Sequence, residues 1–164
     1  MFIKKGLKRL YRAFAPWEDV PKKINAIYRK MDKAKKMGRG IATQYYCHLI
    51  EKRYHCRISP GACIGVNLRL PHPDGVVIGE GCKIGKNVTI YQQVTIGQNR
   101  GKYPAIGDGV IIYAGAKIVG DVCIGDGSII GANAVVTKNV PASSIWGGNP
   151  ARELQKRDHN KEYI

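Results

Sequence analysis

Residues 58–151 contain one histidine, His72, in the short segment PHPDG at 71–75. A neutral imidazole is the side chain best matched to taking a proton from a hydroxyl near neutral pH. General-base chemistry is therefore one reading of His72, and a solvated loop histidine is the other. Its solitude excludes a zinc centre of three histidines within this stretch. His48, His55 and His159 lie outside it and read as structural or exposed. The five cysteines, Cys47, Cys56, Cys63, Cys82 and Cys123, are odd in number and never spaced Cys-x-x-Cys. They frame neither a disulfide scaffold nor a metal site, and small buried thiols in a reducing compartment are expected. No metal is expected.

The element that must position His72 is set by a period of six. An aliphatic residue recurs at Ile58, Ile64 and Leu70, then at Ile78, Ile84, Ile90 and Ile96, then at Ile106, Ile112, Ile118, Ile124, Ile130 and Val136. Two residues earlier stands a small or β-branched side chain, as at Ala62, Cys82, Val88, Val94, Val110, Ala116, Val122 and Ala134. A period of six is neither helical nor a simple alternation, and it marks a parallel β-helix. Each hexapeptide gives a short strand and a turn, three make one triangular coil, and the aliphatic residue points inward. The thirteen repeat positions give a little over four coils, about 20 Å of prism at the usual strand spacing. The fold class is mainly β, a parallel β-helix with a short N-terminal α-helical region.

The period breaks twice, with two extra residues between Leu70 and Ile78 and four between Ile96 and Ile106. A regular solenoid has no structural need of an insertion, so the breaks are where function is expected. The first falls at the turn from third to first face, the second at the turn from first to second. They occupy different corners of one chain, so the site is expected between subunits of a homotrimer, which would also cover flat faces and exposed edges.

Charge is distributed unevenly. The chain of 164 residues has a formal charge of +15, and residues 1–40 hold 13 basic against 3 acidic residues, whereas residues 58–151 hold 7 against 5. Seventeen of the 20 glycines fall in 58–151, with 25 Val+Ile and two Leu, a strand composition. The boundaries read as 1–57, a basic helical region, 58–151, the β-helix, and 152–164, a C-terminal tail. Ile3, Leu7, Leu10, Tyr11 and Phe14 gather on one helical face. A second helix opens at Pro21 with a stripe of Ile24, Ile27, Tyr28 and Met31, and GRG at 38–40 ends it. Ile41, Tyr45 and Leu49 suggest a third. Such basic amphipathic helices can lie on an anionic membrane surface or pack on the protein itself. With no apolar run of 18 residues and no secretory-type N-terminus, a cytoplasmic location is expected, with peripheral contact at the inner membrane face as an extension of it.

The hexapeptide array together with LPHPDGVVIGE (70–80), YQQVTIG (91–97), IYAGAKIVG (112–120), IGANAVVTKNVP (130–141) and GGNPAR (147–152) resembles the left-handed β-helix acyltransferases. The likeness is greatest to the serine acetyltransferase group, which includes short capsule and exopolysaccharide O-acetyltransferases, and it covers roughly residues 41–154. The resemblance implies a left-handed coil and acetyl-CoA as co-substrate. It makes His72 the general base for attack of an acceptor hydroxyl on the thioester. It places Gly97, Gln98 and the loop to Gly101 at the oxyanion, Ala114 and Ala132 along the pantetheine arm, and Lys138 and Arg152 near the nucleotide phosphates.

The chain departs from the serine acetyltransferase pattern around the acceptor. Arg57 and Pro71 stand where that pattern has aspartates, and Lys102 and Tyr103 where it has an Arg-His pair. Asp74, Glu80 or a backbone carbonyl are left to orient His72, with Arg57 and Tyr103 as further acceptor-side candidates. The expectation is an acetyl-CoA-dependent O-acetyltransferase acting on a sugar hydroxyl in surface-polysaccharide biosynthesis. The alternative is serine O-acetylation in cysteine biosynthesis. A non-catalytic trimeric scaffold is the reading from another class. Nucleic acid is not an expected partner, because no aromatic-basic interleaving or recognition-helix pattern accompanies the charge.

Overall fold

The computed structural model describes residues 20–158, 161 and 163. The helix expected over Ile3–Phe14, and His159, lie outside the described residues. Two helices, α1 (Val20–Lys36) and α2 (Gly40–Tyr54), precede fourteen short strands. One sheet contains β1 (Arg57–Ile58), β3 (Val77–Ile78), β6 (Thr95–Gly97), β9 (Lys117–Val119) and β12 (Val135–Val136). A second contains β2 (Cys63–Ile64), β4 (Lys83–Ile84), β7 (Ala105–Ile106) and β10 (Cys123–Ile124). The third contains β5 (Thr89–Ile90), β8 (Ile111–Ile112), β11 (Ile129–Ile130), β13 (Ser144–Gly147) and β14 (Arg152–Lys156).

The register repeats the six-residue rule. Ile58, Ile78, Ile96, Ile118 and Val136 pair in one parallel column, Ile64, Ile84, Ile106 and Ile124 in the next, and Ile90, Ile112 and Ile130 in the third. All are buried, as are Ala62, Cys82, Val88, Val94, Val110, Ala116, Val122 and Ala134 two positions earlier. Parallel pairing inside a triangular prism leaves little room beside the backbone, so one aliphatic and one small or β-branched side chain per hexapeptide fill it. Burying each isoleucine is worth about 1.5–3 kcal/mol.

Helix α1 covers the open end of the first coil. The Tyr28 hydroxyl donates to Ala62 O at 2.8 Å and accepts from Ile64 N at 3.1 Å, while the Arg29 guanidinium donates to Ile64 O and Gly65 O. Asn25 donates to Leu68 O. These bonds satisfy backbone groups that an uncapped edge would leave unpaired. The buried stripe of α1 is Ile24, Tyr28, Met31 and Ala34, with Ile27 half-buried. The suggested third helix is α2, in which Ile41 and Tyr45 are exposed and the inward face is Thr43, Ile50 and Tyr54. Gly38, at φ +68°, turns the chain between the two helices.

Two further expectations change. Cys63 and Cys123 are exposed, because each stands one residue before an inward isoleucine and so points out of the second sheet; Cys56 and Cys82 are buried and Cys47 half-buried. Residues 152–156 of the expected tail are a strand, β14, antiparallel to β13 and closing the far end of the third sheet. No described helix is long and apolar enough to cross a membrane.

Candidate functional site

The first insertion is a loop held by its own backbone. Gly75 N donates to His55 O at 2.8 Å and Val76 N to Pro73 O at 3.0 Å. Gly75 adopts φ +70°, which glycine meets without strain. The coils then stack turn on turn: Gln93 N donates to Asp74 O, Gly115 N to Gln92 O and Asn133 N to Ala114 O, each at 2.9 Å. Asp74, Gln92, Ala114 and Ala132 thus occupy equivalent places on successive coils, and the two extra residues carry His72 outward beside the first of them. The edge from this loop to Ala132 runs for three spacings, about 14 Å. Ala114 is half-buried and Ala132 exposed, so past Gln92 the edge is a strip of small side chains.

His72 is exposed, and no hydrogen bond reaches its imidazole among the described residues. Asp74 shares the loop but makes no bond to it. The ring beside His72 is Tyr91, 6.5 Å away between centroids and tilted by 37°. Tyr91 stacks on Tyr113 at 5.3 Å and 14°, and the Tyr113 hydroxyl donates to Tyr163 O. Burial raises the Tyr113 phenol above its ordinary range. The sequence reading missed this column. Its signal was available: a tyrosine follows the repeat isoleucine at 91 and again at 113, one coil plus four inserted residues later. Gln92 was missed as well; its Oε1 is buried without a hydrogen-bond partner.

The second insertion is a tight excursion. Asn99 and Lys102 exchange backbone hydrogen bonds at 3.0 Å, and Gln98 Oε1 accepts from Gly101 N at 2.8 Å. The Gln98 N–H has no partner among the described residues. A Cβ built on Gly97 would meet only Thr95 Cγ2, at 3.9 Å, so nothing inside the chain requires glycine there. Gly81 is the opposite case: a Cβ there would lie 2.5 Å from the Tyr103 ring, which packs flat on that backbone.

The remaining sequence candidates divide between the corners. Glu80 and Tyr103 lie with Gly97 at the turn from first to second face, not with His72, and Glu80 faces Lys35 at 3.4 Å. Neither orients His72 within one chain. Arg57 points outward from β1 and pairs with Glu51 at 2.7 Å, which holds the Glu51 carboxyl below the usual range. Glu51, His55 and Arg57 line an open depression of about 340 Å³ with Cys56, Gly75, Val76 and Val77, at the foot of the His72 loop. Lys138 and Arg152 are exposed at the far end of the prism and, among the described residues, have no carboxylate partner. A larger open groove of about 760 Å³ lies on the helical arm, lined by residues 38–42, Tyr45 and Tyr46, with no histidine or carboxylate. No group of three His, Cys, Asp or Glu side chains suited to a metal occurs among the described residues.

His72 and Gly97 stand at opposite ends of the first face. Five residues separate the Gln92 corner from Gly97, on the order of 15 Å at strand rise.

Residues 103–138 match the family model described as bacterial transferase hexapeptide (six repeats). Over 103 residues the chain is 54% identical to the serine acetyltransferase of Staphylococcus xylosus, an alignment covering 60% of this chain and 48% of that one. The chain thus spans about half the length of the curated relatives it matches. A serine acetyltransferase from Brucella abortus strain S19, solved with coenzyme A, superposes with a TM-score of 0.77 at 32% identity, covering 81% of this chain and 55% of that chain. Soybean serine acetyltransferase complexed with serine superposes with a TM-score of 0.73 at 36% identity, covering 80% and 56%.

Proposed function

We propose that this hexapeptide-repeat chain, a left-handed β-helix homologue of the serine acetyltransferases, is an acetyl-CoA-dependent O-acetyltransferase with His72 as its general base. The observation that carries the reading is the coincidence of the single histidine of the solenoid with the first break in its period. The outward loop at 71–75 gives the imidazole no hydrogen bond among the described residues, which suits it to a substrate.

In this mechanism the acceptor hydroxyl gives its proton to the His72 imidazole as its oxygen attacks the thioester carbonyl. The tetrahedral intermediate carries an oxyanion, for which the unengaged Gln98 N–H is a donor, with the bare Cα of Gly97 allowing close approach. Collapse expels the CoA thiolate, which takes the acceptor's proton from the imidazolium and leaves as the free thiol. General-base assistance of this kind is worth about 10² to 10⁴ in rate. The Ala114–Ala132 strip suits an extended thiol arm, and the exposed cations Lys138 and Arg152 suit phosphates at its far end. Because His72 and Gly97 are a face apart, one chain's imidazole meets the neighbouring chain's Gly97 loop in a homotrimer.

For the acceptor, the named relatives support L-serine over the sugar hydroxyl expected from the sequence. A sugar is the second reading, favoured by one observation: the loop presents Pro71 and the adjoining strand presents Arg57 where the serine acetyltransferase pattern has acids. Free-thiol release from acetyl-CoA against L-serine, simple sugars and nucleotide sugars separates the two. Turnover with serine alone supports the first reading, turnover with sugars alone the second, and no thiol release with either class overturns the enzyme assignment.

A further inference from the structure

We infer that Tyr91, backed by Tyr113, is the positioning residue for the His72 imidazole, an aromatic column doing here what a hydrogen-bonded carboxylate does for many catalytic histidines. The inference rests on His72 being the general base. Two parts of the geometry carry it. First, within one chain the loop offers the imidazole no polar restraint: Asp74, in the same loop, makes no bond to it, and that chain's own Glu80 and Tyr103 lie at the opposite end of the first face. Second, the neighbouring ring is Tyr91, whose 6.5 Å separation and 37° tilt fall within the range of attractive aromatic pairs.

Tyr91 is itself fixed. It lies almost parallel to Tyr113 at 5.3 Å, one coil further along the prism, and its own backbone is tied to that coil by Tyr91 N donating to Ile112 O at 3.0 Å. Tyr113 is tied in turn by its hydroxyl to Tyr163 O, and the Tyr163 ring lies 5.6 Å beneath the Arg157 guanidinium. Arg157 donates to Gly127 O at 2.6 Å through its side chain and to Ser143 O at 2.9 Å through its backbone. The column therefore runs from the loop histidine to the C-terminal segment and ends on the rigid turns of the last coils. A ring against the imidazole restricts its rotation without fixing a tautomer, which leaves either nitrogen free to take the acceptor's proton.

The test replaces Tyr91 by Phe and by Leu. Leucine offers apolar packing in a smaller side chain without a ring, so a loss of activity in a variant that stays folded reports on the ring. The expected result is that Tyr91→Phe keeps kcat within about twofold. Tyr91→Leu should lower kcat between about tenfold and a hundredfold, the scale of misplaced catalytic groups, with the KM for acetyl-CoA little changed. A second readout is independent of turnover: in histidine-labelled protein the His72 ring-proton resonances should carry a ring-current shift that Tyr91→Leu removes and Tyr91→Phe preserves, while those of His48 and His55 stay put. If Tyr91→Leu keeps wild-type kcat, if Tyr91→Phe falls as far as Tyr91→Leu, or if the His72 shift is absent, the inference is overturned. An enzyme without acetyl transfer would sink the general-base reading instead, and the resonance test would still report on the contact.

Discussion

At the scale of single residues, the role proposed for Gly97 sets it apart from a glycine required by packing. Because a Cβ there meets nothing closer than 3.9 Å, Gly97→Val should leave the melting temperature almost unchanged while removing most acetyl transfer; thermal unfolding and thiol release on the same sample check both halves. Gly81 should behave oppositely, since a side chain there collides with the Tyr103 ring at 2.5 Å and would displace it. Cys56 shows what burial does to a titrating group. Desolvation pushes its thiol from 9.0 up to about 12, with Asp74 and Glu51 adding to the shift. Below pH 9 the thiol is neutral in folded and unfolded chains alike. Between 9 and 12 the unfolded chain sheds the proton first, so stability falls as pH rises through that window. Alkaline unfolding of Cys56→Ala, followed by circular dichroism, should accordingly begin at higher pH relative to its neutral stability than in the native chain.

At the scale of elements, the solenoid is held by columns of equivalent side chains, and one truncation should be felt as a cavity between two coils. Ile118 is fully buried between Ile96 and Val136, and Ile118→Ala should cost about 2–5 kcal/mol, read from denaturant midpoints. This column was legible from sequence because the rule of six binds every coil to the same steric answer. The corner of each insertion was legible for the same reason, since counting faces needs only the repeat. The inward face of α2 was not. Its weak amphipathicity puts Thr43 against the protein and leaves Ile41 and Tyr45 outside, a choice made by how α1 seats on the first coil. The closing strand β14 was hidden too, since RELQK has neither the period of six nor an apolar alternation. At the candidate site, the two breaks in the period single out His72 and the loop after Gly97, whose catalytic roles are proposed. Tyr91 and Tyr113 escaped because a tyrosine after the repeat isoleucine shows its place in the repeat, whereas the ring contacts emerge only when the coils stack.

At the scale of the whole molecule, the prism holds its two insertions at opposite ends of one face, on the order of 15 Å apart. In the proposed homotrimer, such a spacing would make each reacting centre a joint product of two chains. Mixing offers a direct consequence: His72→Ala and Gly97→Val chains, each nearly inactive alone, should regain part of the wild-type rate when refolded together, because mixed trimers contain some junctions with both residues intact. Separate refolding and later mixing without exchange should restore nothing. The charge has its own whole-molecule meaning. Residues 1–40 carry +10, whereas residues 58–151 carry 7 basic against 5 acidic side chains, so the solenoid presents its cations sparsely, with Lys138 and Arg152 exposed at one end. The central claim is His72 as the base that drives transfer, and steady-state thiol release from acetyl-CoA with L-serine, compared for wild type and His72→Ala, tests it most directly. The expected result is acceptor-dependent release in the wild type and a loss of about 10² to 10⁴ in kcat for the variant, with its fold and melting temperature retained. A folded His72→Ala protein turning over at the wild-type rate would contradict it.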